Sequence, residues 1–213
     1  GNLSSFKNKI DNLPESARYA YGGNGLDDDI LGRPLHSHYG FVADGLFKTS
    51  EEVDNSPEQA GKAVGRIRYK DLDHDGRITW EHDRTWIGCS DPDFMYGINV
   101  DAKYKNFDFS MFWQGVAGNE VRNDWKSYSD FWAVWTQQGF NHPTRLLDAW
   151  SPDNPESTIP ALSLQNPNDE RRLSTYFIES GAYLKLRHIE FGYTFPSHLL
   201  SKIGFKQCRV NLN

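Results

Sequence analysis

The chain has 213 residues and a formal net charge of −6, from 23 Lys+Arg against 29 Asp+Glu. That is one domain's worth of chain, or a piece of something larger, and its acidity excludes a non-specific nucleic-acid binder. Two cysteines, Cys89 and Cys208, exclude a disulfide scaffold and a CxxC zinc site, and the sequence holds neither a transmembrane helix nor a charged-then-apolar leader, whereas membrane strands need only ~9–11 alternating residues.

Aromatic residues make 14% of the chain and all hydrophobic residues 38%, so more than a third of the apolar side chains carry rings. This bias suits β-structure, carbohydrate-facing surfaces or the aromatic girdles of a membrane barrel. Residues 1–34 are weakly patterned, and Gly22, Gly23 and Gly25 with Asp27, Asp28 and Asp29 read as loop. His36 and His38 could hold a metal from a strand, although a turn near Gly40 is the plainer reading. Residues 39–47 are aromatic and glycine-punctuated, which predicts one strand or two with a bend. Residues 49–53 open like a short helix, with a Ser/Thr cap and an acidic first turn. A short strand is expected over 65–70.

The next segment, Asp71-Leu72-Asp73-His74-Asp75-Gly76-Arg77-Ile78, matches the first eight positions of a calcium loop. Asp71, Asp73 and Asp75 place hard carboxylate oxygens at alternate positions, Gly76 permits the turn, and the Arg77 carbonyl supplies a further oxygen. The second half departs from the pattern. Position nine is Thr79, and position twelve, where a bidentate Glu is expected, is His82; Glu81 and Asp83 flank it, so a shifted loop can still offer a carboxylate, and Asp83 is taken as the last ligand. The expected cofactor is one structural Ca2+, and the alternative is a solvated turn that uses Asp and Gly for backbone reasons.

Residues 94–115 carry the clearest pattern. Phe94, Tyr96, Ile98, Val100, Ala102 and Tyr104 alternate with other residues, and after Lys105-Asn106 so do Phe107, Phe109, Met111 and Trp113. A two-residue hairpin loop pairs Tyr104 with Phe107, Ala102 with Phe109, Val100 with Met111 and Ile98 with Trp113, and places these apolar residues on one face, the other being mostly polar. Such a ribbon either covers a soluble core or turns its rings to lipid.

Residues 123–140 are dense in rings, with Trp125, Tyr128, Phe131, Trp132, Trp135 and Phe140, of which Tyr128, Phe131, Trp132 and Trp135 fall at the spacing of a short amphipathic helix. They read either as a loop packed on itself or as a ring-rich surface for a partner or cargo, through Trp125, Tyr128, Trp132 and Trp135. Residues 150–168 are Pro-, Asn- and Asp-rich without periodicity, which predicts a long loop. Residues 183–195 form a strand with a phase slip, which a bulge near Arg187-His188 reconciles. A short helix is expected over 196–204 and a further strand from 205. The chain ends in mid-strand, as a truncated protein would. No HExxH, GxSxG, Walker loop or GxGxxG occurs, so the sequence offers no sign of an enzyme.

Several segments together resemble the C-terminal region of SusC/RagA-family TonB-dependent outer-membrane transporters. They are HYGFVADGLF at 38–47, GRIRYKDLDHDG at 65–76, DRTWIG at 83–88, PDFMYG at 92–97, YKNFD at 104–108 with QG at 114–115, WSPDNP at 150–155, YLKLR at 183–187 and GYTFP at 192–196. The resemblance implies an all-β fold, with antiparallel strands forming part of a large transmembrane β-barrel that has long outer loops and short helices. It also implies import of glycans or peptides across the bacterial outer membrane, a SusD-like surface lipoprotein as partner, contact with outer-membrane lipid, and energy from TonB. The chain would be a fragment without plug, TonB-contacting segment, signal sequence or terminal strand, unable to transport alone. The family's acidic loop usually ends one residue before Asp83, which puts the last ligand in doubt, and 123–140 matches no family motif. The competing reading, from a different class, is a soluble calcium-dependent all-β carbohydrate-binding module; a secreted glycan hydrolase has no selected acid/base pair.

Overall fold

The computed structural model describes residues 1–131, 141–163, 165, 168–201 and 204–213. It divides into two compact units. The first comprises Gly1–Lys7, Pro92–Asn119 and Ser180–Asn213; the second comprises Asn8–Asp91 and Glu120–Glu179. Among the described residues no helix is long and apolar enough to cross a membrane, which says nothing of strands.

The first unit is a five-stranded antiparallel sheet in the order β1 (Asn2–Ser4), β6 (Phe94–Tyr104), β7 (Phe107–Ala117), β10 (Tyr183–Thr194), β11 (Arg209–Leu212). The β6–β7 register is the one the alternation predicts, with Tyr104 opposite Phe107, Val100 opposite Met111 and Ile98 opposite Trp113. Lys105 opens the turn at φ 53, in the left-handed region that a two-residue hairpin loop requires. The phase slip of β10 is also resolved as expected. Leu186 pairs with Trp113 and His188 with Phe112, so Arg187 is the extra residue of a bulge.

The bulge has a consequence for all five strands. It brings Leu184, Leu186, Ile189, Phe191 and Tyr193 onto the face already formed by the apolar residues of β6 and β7. Leu3 on β1 and Val210 and Leu212 on β11 join the same face. Most of its large side chains stand exposed, among them Ile98, Val100, Phe107, Ile189, Phe191 and Leu212. The opposite face carries Asn99, Asp101, Lys103, Asp108, Ser110, Gln114, Lys185, His188, Glu190 and Arg209. There Arg209 of β11 pairs with both Asp108 of β7 and Glu190 of β10.

Rings concentrate toward the ends of the apolar face. Phe107, Phe191, Tyr193 and Phe195 cluster at the turn end, with Phe107 4.7 Å from Tyr193 and Tyr193 5.0 Å from Phe195, while Phe94 and Tyr96 meet at the other end. Aliphatic Val100, Met111 and Ile189 lie in register across the middle. The connections are asymmetric too: two residues join β6 to β7, whereas the chain between β1 and β6, and between β7 and β10, is long.

The second unit is built from small pieces around a main core, with Leu146, Ala149 and Ile159 forming a smaller cluster. β2 (Ser37–Phe41) pairs with β5 (Arg84–Cys89), and β3 (Ala43–Leu46) with β4 (Ile67–Tyr69). The glycine-punctuated segment is therefore two strands with a bend between them. α1 (Ser50–Asn55) starts as predicted, with the Thr49 side chain accepting from Glu52 N at 3.1 Å. Phe41, Leu46, Ile67, Tyr69, Phe131 and Phe177 form the core, and Trp150 and Tyr176 pack against it. α2 (Lys126–Ser129) is a single turn, and α3 (Ser197–Leu200) lies within the helix expected over 196–204, of which residues 202 and 203 lie outside the described residues.

Candidate functional site

Two constellations in the second unit bear on function. The first is the acidic loop. Carboxylate oxygens of Asp71, Asp73 and Asp83 all lie within 4.8 Å of one another. Oxygens bound at about 2.4 Å to one calcium ion can lie no more than about 4.8 Å apart, so the spacing fits a single hard cation, as does an all-oxygen donor set. Asp83, the thirteenth residue of the loop, takes the position that the twelfth residue, His82, cannot fill. It is fully buried, and it accepts from Leu72 N at 2.7 Å and Thr79 N at 2.6 Å. Asp75 is not part of the convergent trio. Its Oδ1 accepts from Arg77 N at 2.8 Å.

The loop's shape comes from its own carboxylates. Asp71 accepts from His74 N at 2.7 Å and Gly76 N at 2.8 Å, while His74 at φ 63 and Gly76 at φ 85 make the left-handed turns. Desolvation pushes the Asp71 pKa up, but the N–H donors of Gly76 and His74, with a side-chain hydrogen bond to Asp73, hold it below the usual carboxylate range. A carboxyl held low favours the folded loop above about pH 4 and stops doing so as acid protonates it. Backbone bonds tie the loop to residue 58, with Glu58 N donating to Gly76 O and Ile78 N to Glu58 O, both at 2.8 Å. The histidines near β2 are committed elsewhere: His36 pairs with Asp91 at 2.8 Å and His38 with Ser90 at 2.9 Å.

The second constellation is a cleft of about 800 Å³ whose walls include Trp125, Lys126, Tyr128, His142 and Arg145. The i, i+3 spacing brings Trp125 and Tyr128 together, edge to face, with centroids 5.6 Å apart and planes at 77°. Trp125 is 75% exposed. Trp132 and Trp135, named with them from the sequence, lie outside the described residues.

Sequence reasoning missed the basic side of this cleft, because Arg145 reaches it through tertiary structure. Its guanidinium grips the buried Asp130 at 2.7 and 2.9 Å, and Tyr176 donates to the same carboxylate at 2.6 Å. Burial, and then Asp130, push the Tyr176 phenol far above its ordinary pKa, so it stays a donor. Lys126 pairs with Glu179 at 2.8 Å and donates to Tyr176 O at 2.7 Å.

The second unit also holds a buried polar network that escaped the sequence. Glu170 receives Arg66 Nη1 at 2.7 Å and Ile67 N at 2.9 Å. Gln59 bonds Ile67 O, Tyr69 N and Asn168 Oδ1. Arg172 donates to Asn168 O and lies 4.8 Å from the ring centroids of both Phe41 and Tyr69. Side chains thus satisfy backbone groups of the short strand β4 that a longer sheet would otherwise pair.

No family model matches the chain. Known proteins do. TonB-dependent receptor P3 of Formosa agariphila is 29% identical over 98% of this chain, and TonB-dependent receptor P26 of the same organism is 30% identical over 89% of it. The chain spans about one fifth of the length of these relatives, 21% and 19%. Among solved structures, that of the RagAB peptide transporter superimposes with a TM-score of 0.63 at 19% identity, over 85% of this chain and 18% of that one. The RagAB peptide importer in its closed-closed state gives a TM-score of 0.58 at 17% identity, over 86% and 20%. The resemblance read from the sequence is therefore borne out: nearly the whole chain is similar to a segment of TonB-dependent receptors, and its mostly antiparallel fold is shared with the RagAB structures. These relatives are receptors and transporters, not enzymes, which fits a chain without a catalytic motif.

Proposed function

We propose that this chain, similar over nearly its whole length to a segment of TonB-dependent receptors, is part of a β-barrel that imports nutrients across the bacterial outer membrane. The observation that carries the reading is the sheet of the first unit. Five strands keep most of their apolar positions on one exposed face, Met95, Phe112, Val116 and Tyr183 apart, and nearly every charge on the other, and β10 includes a bulge without which its phase would fail. A soluble sheet with one solvated face exposes its polar side. Here the exposed apolar side suits hydrocarbon, and the Arg209–Asp108–Glu190 cluster suits a wet lumen. An eleven-residue strand is about 37 Å long, and tilted by ~45° it spans about 26 Å, the height of an outer-membrane apolar band.

In this reading Lys105-Asn106 is a periplasmic turn, and the long connections are extracellular. TonB would act through another part of the barrel's chain, and a SusD-like lipoprotein and a glycan or peptide cargo would meet the outer loops. The test is solubility. The protein is expected to be monodisperse in detergent and to aggregate without it. A monodisperse monomer in plain buffer would instead favour the soluble carbohydrate-binding module.

Calcium belongs to the same proposal as a structural ion. Asp71, Asp73 and Asp83 would hold it with the Arg77 carbonyl, and it would relieve the repulsion of three converging carboxylates. At one hundred times its Kd, calcium should stabilise the fold by about 2.7 kcal/mol, read as a rise in Tm that chelation reverses. Asp71→Asn and Asp83→Asn should each abolish the calcium response. An unmoved Tm in the parent protein would exclude the ion.

A further inference from the structure

We propose that the Trp125–Arg145 cleft of the second unit binds a neutral saccharide, stacking a pyranose ring on Trp125. The inference narrows the cargo of the proposed importer and rests on that reading for the cleft's place outside the cell. Charge decides first. The two described cations lining the cleft are neutralised within the protein, Arg145 by two contacts to Asp130 and Lys126 by Glu179, so neither selects an anionic ligand. No carboxylate is among the described residues that line it, so none of those residues selects a cation.

Shape decides next. Trp125 and Tyr128 form two apolar walls close to perpendicular, and Trp125 is mostly open to solvent. The amides of Asn123 and Asn141 add a polar rim. A ligand with an apolar C–H face and a hydroxyl edge matches such walls. An extended peptide would instead look for a strand edge with free main-chain groups. On the Trp125–Ser129 wall, a helical turn, main-chain N–H groups are already bonded: Lys126 to Asn123 O, and Tyr128 and Ser129 to Trp125 O.

The experiment titrates the full-length protein in detergent with cellohexaose, with a fully sulfated cellohexaose and with an uncharged hexapeptide, by calorimetry. Neutral hexaose should bind, and Trp125→Ala should weaken it about tenfold, the loss of one aromatic contact, with Tm unchanged. Binding that survives Trp125→Ala, preference for the sulfated sugar or the peptide, or no neutral-sugar binding would each overturn the assignment. Membrane insertion is scored separately by the detergent requirement. A protein that needs detergent yet ignores cellohexaose fails this inference and leaves the importer reading standing.

Discussion

Replacing Glu170 with alanine should cost about 3–5 kcal/mol, enough to unfold the second unit under mild denaturant. Glu170 is 1% exposed, and its carboxylate is the partner of Arg66, which is itself buried, and of the Ile67 amide. Truncation would leave a buried guanidinium with the Ala161 carbonyl as its remaining partner named here, and would strip the β4 amide of its acceptor. Glu170→Gln should lose less, because the amide oxygen can still accept from Ile67 N. Pairing Arg66→Met with Glu170→Leu should also lose less than Glu170→Ala, since no buried charge is left unmatched. Urea midpoints from tryptophan emission of the full-length protein measure all three. A loss below about 1 kcal/mol for Glu170→Ala would mean that the network contributes little to stability.

That network marks where the sequence stops being readable. The hairpin was legible because its information is local: a two-residue loop fixes register, and period-two alternation fixes the face. The Arg187 bulge was legible for the same reason, since a broken phase within one strand has one simple repair. Glu170 and Asn168 sit in a stretch without periodicity, and their partners Arg66, Ile67 and Gln59 are about a hundred residues away in the chain. Only the closed fold brings them together. The strand β5 was hidden similarly, because its mixed, half-buried positions carry no alternation. At the acidic loop, local spacing picked out Asp71, Asp73 and Asp75, and Asp83 entered as a flanking carboxylate. The structure places Asp83 with Asp71 and Asp73 and turns Asp75 to Arg77 N. At the cleft, Trp125 and Tyr128 were visible as members of a ring-rich stretch, while their edge-to-face contact and the roles of Arg145 and Asp130 needed the fold.

The sheet offers a second large effect, and it separates lipid from water. Val100 is 37% exposed and lies opposite Met111, near the middle of its strand. Were that face solvated by water, Val100→Arg would place a charge in solvent and change stability by no more than about 0.5 kcal/mol. Against hydrocarbon the same change should cost about 2–4 kcal/mol at mid-depth. Depth sharpens the contrast. Tyr104→Arg, at the turn end, should cost about 0–1 kcal/mol on the same face. Asn99→Arg is one residue from Val100 but on the polar face, and it should be nearly neutral. Equilibrium unfolding of the full-length protein in phosphatidylcholine vesicles gives all three values. Lipid requires a large cost at Val100 that falls toward Tyr104 and vanishes at Asn99, because both depth and side of the sheet then set the dielectric each arginine meets. Equal, small costs at the three positions would remove the membrane from the argument, since a water-solvated face has no depth to report.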